Sequence, residues 1–385
     1  IKAGGLSLFS GVTLLNGRTD HSSIIEHDIL KRDRSAIKFT RDGIDMSPME
    51  YSSLLYEMSS GNKIEVDNYS RGGDVRKLEK TFAEMTGKED GMFVPTGTLA
   101  NHIAVRNLSG DRKRVIVQGE SHVYNDSGDC IQNLSGINLI PLNHGEVGFT
   151  LEDVKKVLKW AGDSRVKKGV GCIVIESPVR RQMNRMFDLN EIRRISGFAK
   201  ENGIKMHLDG ARLFNASIHS GVPVSEICDL FDTVYISLYK NFNTASGAVL
   251  LGDKSFIDGL YHERRMFGGG MPQVWPFTSI ALYYSRGFLG EYRSALNKFT
   301  EFVKILGQSG KFRIKTFKDG TNVFVLNPLL PKSLFPIFRE KLFKMNVHIP
   351  AADKFTKSYF LKINTTLNRI DPSGLSEKFI SAANL

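Results

Sequence analysis

The sequence predicts an α/β fold, in which a large domain with a mostly parallel β-sheet is followed by a small α+β domain. Between about residues 90 and 250, short apolar runs alternate with helical patterns, as expected for strand–helix–strand units. After residue 286 the pattern changes to short strands around one helix. The chain has 385 residues, 41% of them hydrophobic, and is long enough for both domains.

The strands of the large domain are predicted from apolar runs of four to seven residues bounded by turn residues. They cover residues 91–95, 115–118, 138–142, 170–176, 204–208, 233–238 and 248–251. Apolar residues at helical spacing predict the segments before and between them. These helices cover residues 48–60, 75–86, 99–108, 151–160, 189–202 and 225–230, with two more near 253–266 and 277–307.

The small domain is predicted over residues 286–385. Its strands are expected at 312–317, 322–327, 347–349 and 360–364, around a helix at 331–345. The large domain then covers residues 36–285, and we expect its first segment, 36–60, to contribute to the functional site.

Residues 1–35 are interpreted as a leader or an irregular arm. The chain starts Ile-Lys-Ala-Gly-Gly and continues with a short, weakly apolar, Gly- and Ser-rich stretch. Such a stretch suits the core of an export signal better than a membrane span, which needs about 20 apolar residues. It resembles the segment that follows the paired arginines of a twin-arginine signal, so we expect a soluble protein and favour periplasmic export over a cytoplasmic location.

Composition excludes several classes of protein. The net charge is +11, but the basic residues are spread along the chain and form no nucleic-acid-binding motif. We therefore expect a solvated basic surface that helps to attract anionic substrates, and no nucleic-acid partner. Cys130, Cys172 and Cys228 are far apart and odd in number, so neither a disulfide framework nor a metal site is expected. Cys172 lies in an apolar run and is predicted to be core.

Lys240 and Asp209 carry the strongest chemical signal. Asp209 ends one predicted strand, and Lys240 follows the next strand along the chain. An enzyme that uses pyridoxal 5'-phosphate needs a lysine amine to form a Schiff base with the cofactor. It also needs a carboxylate that keeps the pyridine nitrogen protonated, so that the ring can accept electrons. The pair therefore predicts this cofactor.

Two further segments follow strands and could face the same site. Thr96, Gly97 and Thr98 stand at a strand-to-helix turn, where hydroxyl groups, a close backbone and a helix N-terminus suit a phosphate group. His122 follows the strand at 115–118 and could stack on the cofactor or act as an acid–base group. An ordinary helix cap and an ordinary loop histidine are the simpler interpretations of these residues.

Arginines after two strands are candidates for anion binding. Arg212, three residues after Asp209, could bind a substrate carboxylate with its planar fork, although an ion pair at a helix start would look the same. Arg181 belongs to a basic segment after the strand at 170–176 and could bind an anion in the same way.

Taken together, these motifs resemble the threonine aldolase / β-eliminating lyase family of fold-type I pyridoxal phosphate enzymes, over roughly residue 38 to the C-terminus. The most specific segment is Asp-Gly-Ala-Arg-Leu-Phe-Asn-Ala at 209–216. The segments 93–98, 121–122, 237–240 and 266–271 support it. The resemblance implies a PLP-dependent transferase-like fold and a homodimer or homotetramer.

The resemblance also implies roles for single residues. Lys240 would form the Schiff base, Asp209 would pair with the pyridine nitrogen, and His122 would lie against the ring. Thr96, Gly97 and Thr98 would bind the phosphate. For the amino acid substrate it implies Arg212, and we predict Thr40, Arg181 and Lys362 as further substrate-binding residues.

The chain departs from the family pattern beside the lysine and after the glycine-rich turn. Tyr239 and Asn241 stand where the family commonly has Ser and Gly. Pro272 stands where it has an arginine that helps to bind phosphate. That contact must be lost or replaced.

A fourth departure concerns the substrate carboxylate. Lys362 aligns with a C-terminal arginine that clamps this group in the family. A lysine cannot reproduce the bidentate fork of an arginine. Arg181 or Arg71 could compensate, so this departure concerns the choice of substrate.

Three functions remain open on the sequence. The first is a carbon–carbon lyase that cleaves a β-hydroxy-α-amino acid, such as threonine, to glycine and an aldehyde. The second is a β-eliminating lyase or an aminotransferase, which needs the same Lys240 and Asp209. The third is a binding protein on a degenerate scaffold, and the presence of both residues argues against it.

Overall fold

The computed structural model of the protein describes residues 35–163, 165 and 168–385. The predicted leader, up to residue 34, lies outside this part. The described chain forms the strands β1 (Ile37–Lys38), β2 (Asp90–Val94), β3 (Arg114–Gln118), β4 (Asn138–Leu142), β5 (Cys172–Glu176), β6 (Lys205–Asp209), β7 (Thr233–Ser237), β8 (Ala248–Gly252), β9 (Phe312–Lys315), β10 (Val323–Pro328), β11 (Val347–His348) and β12 (Tyr359–Lys362).

The largest sheet has seven strands in the order β2-β8-β7-β6-β5-β3-β4. Strands β4, β3, β5, β6 and β7 pair in parallel, whereas β8 runs opposite to both of its neighbours, β2 and β7. Every residue of β2, β5, β7 and β8 is buried, as expected for a sheet covered on both faces. The predicted mostly parallel sheet is thus confirmed.

The predicted helices are present in the described part of the chain, and five others there, at 122–125, 130–135, 213–220, 238–241 and 372–382, were not predicted. The helices are α1 (Pro48–Ser60), α2 (Gly73–Thr86), α3 (Gly97–Ser109), α4 (His122–Asn125), α5 (Cys130–Ser135), α6 (Leu151–Asp163), α7 (Leu189–Glu201), α8 (Leu213–Ser220), α9 (Val224–Cys228), α10 (Leu238–Asn241), α11 (Lys254–Gly259), α12 (Tyr261–Met266), α13 (Trp275–Ser285), α14 (Phe288–Gln308), α15 (Phe335–Lys344) and α16 (Pro372–Ala382).

Local sequence explains where several helices begin and end. Ser47 and Glu50 form a reciprocal capping box at the start of α1. The Thr96 hydroxyl accepts a hydrogen bond from the backbone N–H of Leu99 at the start of α3. Gly87 ends α2 in the left-handed conformation, with φ of 71°, which glycine adopts without steric cost.

A second, three-stranded sheet has the order β12-β10-β9 and lies in the region predicted for the small domain. A cluster of phenylalanine rings joins it to the N-terminal segment. Phe39 contacts Phe302, Phe324 and Phe379 with ring centroids 5.9–6.2 Å apart. The first segment therefore packs on the C-terminal part of the chain, while the domain boundary near residue 285 stays a prediction.

Some predicted elements differ from the structure. The helices predicted near 253–266 and 277–307 are each divided in two, and the second is interrupted at Gly287, a residue that disfavours helix interiors. The helix predicted at 331–345 begins as a 3-10 turn, Lys332–Leu334. Strand β1 was not predicted, because two residues that pair with β11 leave no periodic pattern. Cys172 is fully buried, as predicted.

Within residues 35–163, 165 and 168–385, no helix combines the length and apolar composition needed to cross a bilayer.

The arrangement of the large sheet has one consequence for function. Since β2, β3, β5, β6 and β7 run in the same direction, their carboxyl ends lie at one edge of the sheet, where α/β proteins place their sites.

Candidate active site

A small cavity opens at this edge of the large sheet. The residues that line it come from the ends of neighbouring strands and the turns that follow them. They are His122, Glu176, Arg180, Asp209, Ala211, Arg212, Tyr235 and Lys240. Three predicted site residues from β3, β6 and β7 thus meet, together with Arg212 from the turn after β6.

Lys240 lies on the single-turn helix α10, directly after β7. Burial and the nearby charge of Arg212 lower the pKa of its amine to about 8. A larger fraction of the amine is therefore neutral at physiological pH than for an exposed lysine, and only the neutral amine is a nucleophile. The Lys240 amine also lies 5.4 Å from the ring centroid of Tyr239.

Asp209 ends β6 and is held by a buried relay of polar groups. Asn101, on α3, donates a hydrogen bond of 2.7 Å from its amide nitrogen to Asp209 Oδ2. The Asn101 carbonyl oxygen lies 2.9 Å from His207 Nε2, and His207 Nδ1 lies 2.7 Å from the Thr233 hydroxyl. Burial lowers the pKa of His207 to about 4, so the ring is neutral. Its Nε2–H then donates to Asn101, and its Nδ1 accepts from Thr233.

Glu176 ends β5 in register with Asp209 and was not predicted as a site residue. Its two carboxylate oxygens accept hydrogen bonds from the backbone N–H groups of His122 (2.6 Å) and Arg180 (2.9 Å). Burial and the neighbouring Asp209 raise the pKa of Glu176 to about 7. The available signal was its position at the end of an apolar run.

His122 begins α4, and its backbone is fixed by Glu176. Burial lowers the pKa of the imidazole, which favours the neutral base. Among the described residues, the buried Nδ1 of His122 has no hydrogen-bond partner. His122 lines the cavity, and a buried polar atom without a partner is a candidate for contact with a ligand.

Arg212 is buried and contacts a residue that the sequence did not single out. It forms two hydrogen bonds to the carboxylate of Asp42, which lies in the loop before α1. Lys362 and Asn322 donate to the same carboxylate at 3.1 and 2.9 Å. Two residues predicted to bind the substrate, Arg212 and Lys362, therefore share one internal partner.

The predicted phosphate-binding turn lies at the N-terminus of α3. Thr96 is exposed and caps the helix, Gly97 is buried, and Thr98 is half-buried. A β-carbon at Gly97 would collide with the hydroxyl group of Tyr235. The backbone can approach this closely only because residue 97 is glycine.

The two remaining predicted substrate residues do not line the cavity. The Thr40 hydroxyl donates to Asp45 at 3.0 Å, within the loop before α1. Arg181 is exposed and forms an ion pair of 2.8 Å with Asp126. Arg71, a possible substitute, lies over the ring of Tyr261, at 4.6 Å from its centroid.

The cavity residues fit a pyridoxal phosphate together with the turn at the start of α3, which adjoins Tyr235 but does not itself line the cavity. Lys240 offers an amine with a lowered pKa, and Asp209 offers a carboxylate fixed by Asn101. His122 has an unpartnered buried nitrogen, and the N-terminus of α3 suits a phosphate. Fold and site together define an α/β enzyme class with a reactive lysine at the carboxyl edge of the sheet.

Comparison with known proteins identifies the family. The sequence model described as Beta-eliminating lyase matches residues 52–282, more than half of the chain. The chain therefore belongs to the β-eliminating lyase family, and the family predicted from the sequence is confirmed.

Several curated relatives are threonine aldolases. Low-specificity L-threonine aldolase 1 of Arabidopsis thaliana is 30% identical over 269 residues, which cover 68% of this chain and 75% of the relative. The low specificity L-threonine aldolase of Saccharomyces cerevisiae is 34% identical over 236 residues, 60% of this chain and 59% of the relative. The match to the probable enzyme of Schizosaccharomyces pombe covers 64% of that relative, so the chain spans less than two thirds of two of these proteins.

Solved structures confirm the fold. A candidate L-allo-threonine aldolase of Listeria monocytogenes superposes with a TM-score of 0.72 at 23% identity, over 91% of this chain and 96% of that chain. A threonine aldolase of Leishmania major gives a TM-score of 0.65 at 17% identity, over 90% of this chain and 98% of that chain. The predicted fold-type I architecture is confirmed.

Proposed function

We propose that the protein is a pyridoxal phosphate-dependent aldolase that cleaves a threonine-like β-hydroxy-α-amino acid to glycine and an aldehyde. The observation that carries this proposal is the convergence of Lys240, Asp209 and His122 on one cavity. Its support is membership of a family in which several relatives are named threonine aldolases.

The cofactor would be held by residues from four strand ends. Lys240 would bind it covalently, Asp209 would hold the proton of the ring nitrogen, and His122 would lie against the ring. The backbone and hydroxyl groups of Thr96, Gly97 and Thr98 would receive the phosphate. When bound, pyridoxal phosphate supplies an electron sink for the electrons released at the substrate α-carbon.

Asp209, oriented by Asn101, would keep the ring nitrogen of the cofactor protonated. A carboxylate next to the ring nitrogen favours the protonated form. The Asn101 amide orients Asp209, and His207 orients Asn101 in turn. This buried relay keeps the carboxylate in one position, so no reorganisation is needed during the reaction.

His122, or a water molecule that it positions, would take the proton of the substrate β-hydroxyl group. The base must be neutral to accept a proton, and burial favours the neutral imidazole. Its Nδ1 has no hydrogen-bond partner among the described residues and so is available. Loss of this proton allows the bond between the α- and β-carbons to break.

Arg212 is proposed to bind the substrate carboxylate, because it lines the cavity beside Lys240. A wider cleft adjoins Tyr239 and is lined partly by Met46 and Tyr51. These apolar and aromatic side chains would accommodate the β-substituent of the amino acid. Substrates with a bulky or aromatic β-substituent therefore belong in the test.

A second function is favoured by one comparison. The alanine racemase TOXG of Cochliobolus carbonum is 34% identical over 206 residues, 53% of this chain and 52% of that protein. The same lysine and aspartate could therefore support breakage of another bond at the α-carbon. β-Elimination and transamination remain alternatives of this kind.

Product analysis tests the proposal. The protein loaded with pyridoxal phosphate is incubated with L-threonine, L-allo-threonine and phenylserine, and glycine and the aldehyde are quantified. We expect both products in equal amounts, and none from Lys240→Ala. If the protein binds the cofactor but releases no glycine from any of the three substrates, the proposed aldolase activity is contradicted. Formation of 2-oxobutanoate and ammonia from threonine, or racemisation of L-alanine in a parallel incubation, would instead support an alternative.

We further propose a homodimer or homotetramer. Met49 and Tyr56 on α1 and Tyr283 on α13 are each more than half exposed, and the two helices contact each other. Large exposed apolar side chains are typical of interaction surfaces. Light scattering coupled to gel filtration measures the mass, and a monomer would contradict the proposal.

Periplasmic export stays a prediction, tested by fractionating cells that express the full-length protein.

A further inference from the structure

We infer that Asp42 positions Arg212 for recognition of the substrate carboxylate, and that Lys362 contacts Asp42 rather than the substrate. The inference rests on the proposed function, because it concerns the amino acid that the cavity binds. It assigns a role to a residue of the loop before α1, 170 positions away from Arg212 in the sequence.

Asp42 engages one edge of the Arg212 guanidinium group. Arg212 Nε lies 3.1 Å from Asp42 Oδ1, and Nη2 lies 3.0 Å from Oδ2. This side-on pair uses two of the five N–H groups of the arginine. Within the described residues, Nη1 makes no hydrogen bond, so it remains for a second carboxylate.

Lys362 and Asn322 complete the coordination of Asp42. Lys362 Nζ lies 3.1 Å from Oδ2, and Asn322 Nδ2 lies 2.9 Å from Oδ1. The carboxylate thus accepts four hydrogen bonds, which is about its full capacity. A group held in this way orients its partners and has little capacity for another ligand.

The position of each residue agrees with this division of roles. Arg212 lines the cavity with Lys240, whereas Asp42, Asn322 and Lys362 do not. The guanidinium group therefore lies between the cavity and the buried carboxylate. Bidentate contacts of this kind fix the plane of an arginine and make its remaining donors directional.

The net charge of this cluster also matches the binding of one anion. Arg212 and Lys362 are two cations, and Asp42 is one anion, so this cluster keeps one net positive charge. A single substrate carboxylate would neutralise it. Lys362 can fulfil this role without the bidentate fork of an arginine, because its contact is with Asp42 and needs only a point charge.

The rival interpretation is that Asp42 occupies the place of the substrate carboxylate and competes with it. The two interpretations predict opposite signs when Asp42 loses its charge. If Asp42 positions Arg212, its removal weakens binding of an amino acid. If Asp42 competes, its removal strengthens binding.

Calorimetric titration of the loaded protein distinguishes them. Glycine, the product of the proposed reaction, is compared with glycinamide, which lacks the negative charge. We expect the wild type to prefer glycine. In Asp42→Asn we expect glycine affinity to fall by about tenfold or more, because charge-assisted bonds that orient Arg212 are lost. Glycinamide affinity should change little.

Three further variants complete the experiment. Asn322→Ala loosens Asp42 without removing its charge and should also weaken glycine binding, even if Asp42→Asn does not fold. Lys362→Arg should leave glycine affinity within about threefold, since the cation contacts Asp42 rather than the ligand. Asp90→Asn is the matched control, because it disrupts a bidentate pair with Arg76 outside the cavity.

Tighter glycine binding in Asp42→Asn or Asn322→Ala would overturn the inference, as would a large gain in affinity for Lys362→Arg. These outcomes are separate from the proposed aldolase activity, because the titration requires no turnover. A protein that binds glycine but cleaves no hydroxy amino acid would contradict only the proposed function.

Discussion

At the scale of single residues, the site depends on groups whose proton affinity is changed by burial. Lys240 has a lowered pKa, and Glu176 has a raised one. The two shifts have the same main cause, since burial disfavours the charged form of either group. Strong perturbation of several groups around one cavity is typical of functional sites.

The lowered pKa of Lys240 predicts how the apoprotein captures its cofactor. Only the neutral amine attacks an aldehyde, so the capture rate should rise with pH and reach half its maximum near pH 8, where the pKa of Lys240 lies. Stopped-flow absorbance after mixing with pyridoxal phosphate measures this rate. A midpoint near 10.5, the ordinary lysine value, would contradict the prediction, and Lys240→Ala gives the background.

Asn101 is predicted to matter more than its neighbours on α3. Asn101→Ala removes the donor to Asp209 and leaves two buried groups without a partner. We expect a loss of about 1–3 kcal/mol in the free energy of unfolding and a lower kcat with a smaller change in KM.

Asn107→Ala is the matched control for this prediction. Asn107 lies on the same helix, and its amide donates to a backbone carbonyl group, that of Ile103. Equal effects of the two substitutions on kcat would show that Asn101 has no particular role in positioning Asp209.

At the scale of elements, the edge of the parallel sheet brings the site together. The turn after each strand contributes one group, and α3 begins at the same edge. The close contact between Gly97 and Tyr235 shows how little space this turn has. An added methyl group must displace either the start of α3 or the Tyr235 ring.

Gly97→Ala is therefore expected to weaken cofactor retention by at least about tenfold, since it moves the helix N-terminus that would face the phosphate. Retention is measured by dialysis followed by absorbance. Gly197→Ala is the control within α7, where a β-carbon meets no other atom. That substitution should raise the free energy of unfolding by about 0.5–1 kcal/mol. Unchanged retention in Gly97→Ala would refute the role of this turn.

At the scale of the whole molecule, Asp42 joins three parts of the chain. It lies in the loop before α1 and contacts Arg212 in the turn after β6, and Asn322 and Lys362 at the small sheet. Burial alone would raise the pKa of Asp42. The charges of Arg212 and Lys362, together with the hydrogen bonds from Arg212 and Asn322, outweigh it and hold this pKa well below its usual range.

This shift predicts a specific dependence of stability on pH. A carboxyl group whose pKa is lowered by folding stabilises the folded state above its unfolded pKa of about 3.9, and that stabilisation is lost as the pH falls. Asp42→Asn should therefore be less stable than wild type at pH 7, and the difference should shrink below about pH 4. Urea denaturation at several pH values measures it, with Asp319→Asn, at a surface ion pair, as control. If the difference in free energy of unfolding between wild type and Asp42→Asn stayed constant with pH, the lowered pKa of Asp42 would be contradicted.

Part of this structure could be predicted from local patterns. The apolar runs predicted all seven strands of the large sheet, apart from errors of a few residues at their ends, but not the reversed direction of β8. The order of strands and turns placed Lys240, Asp209 and His122 near one edge. Such predictions succeed because periodicity and turn residues act over a few neighbouring positions.

The sequence by itself determined the family, the α/β architecture and the pair formed by Lys240 and Asp209, because each depends on residues close together in the chain. Only the tertiary structure decided that Asp42 contacts Arg212 and Lys362, that Glu176 lies in register with Asp209, and that β1 pairs with β11. These contacts join segments that are distant in sequence, and one carboxylate in a polar loop has no pattern that reveals its partner. The fold supplies the partner by burying both charges together, since a buried charge requires one.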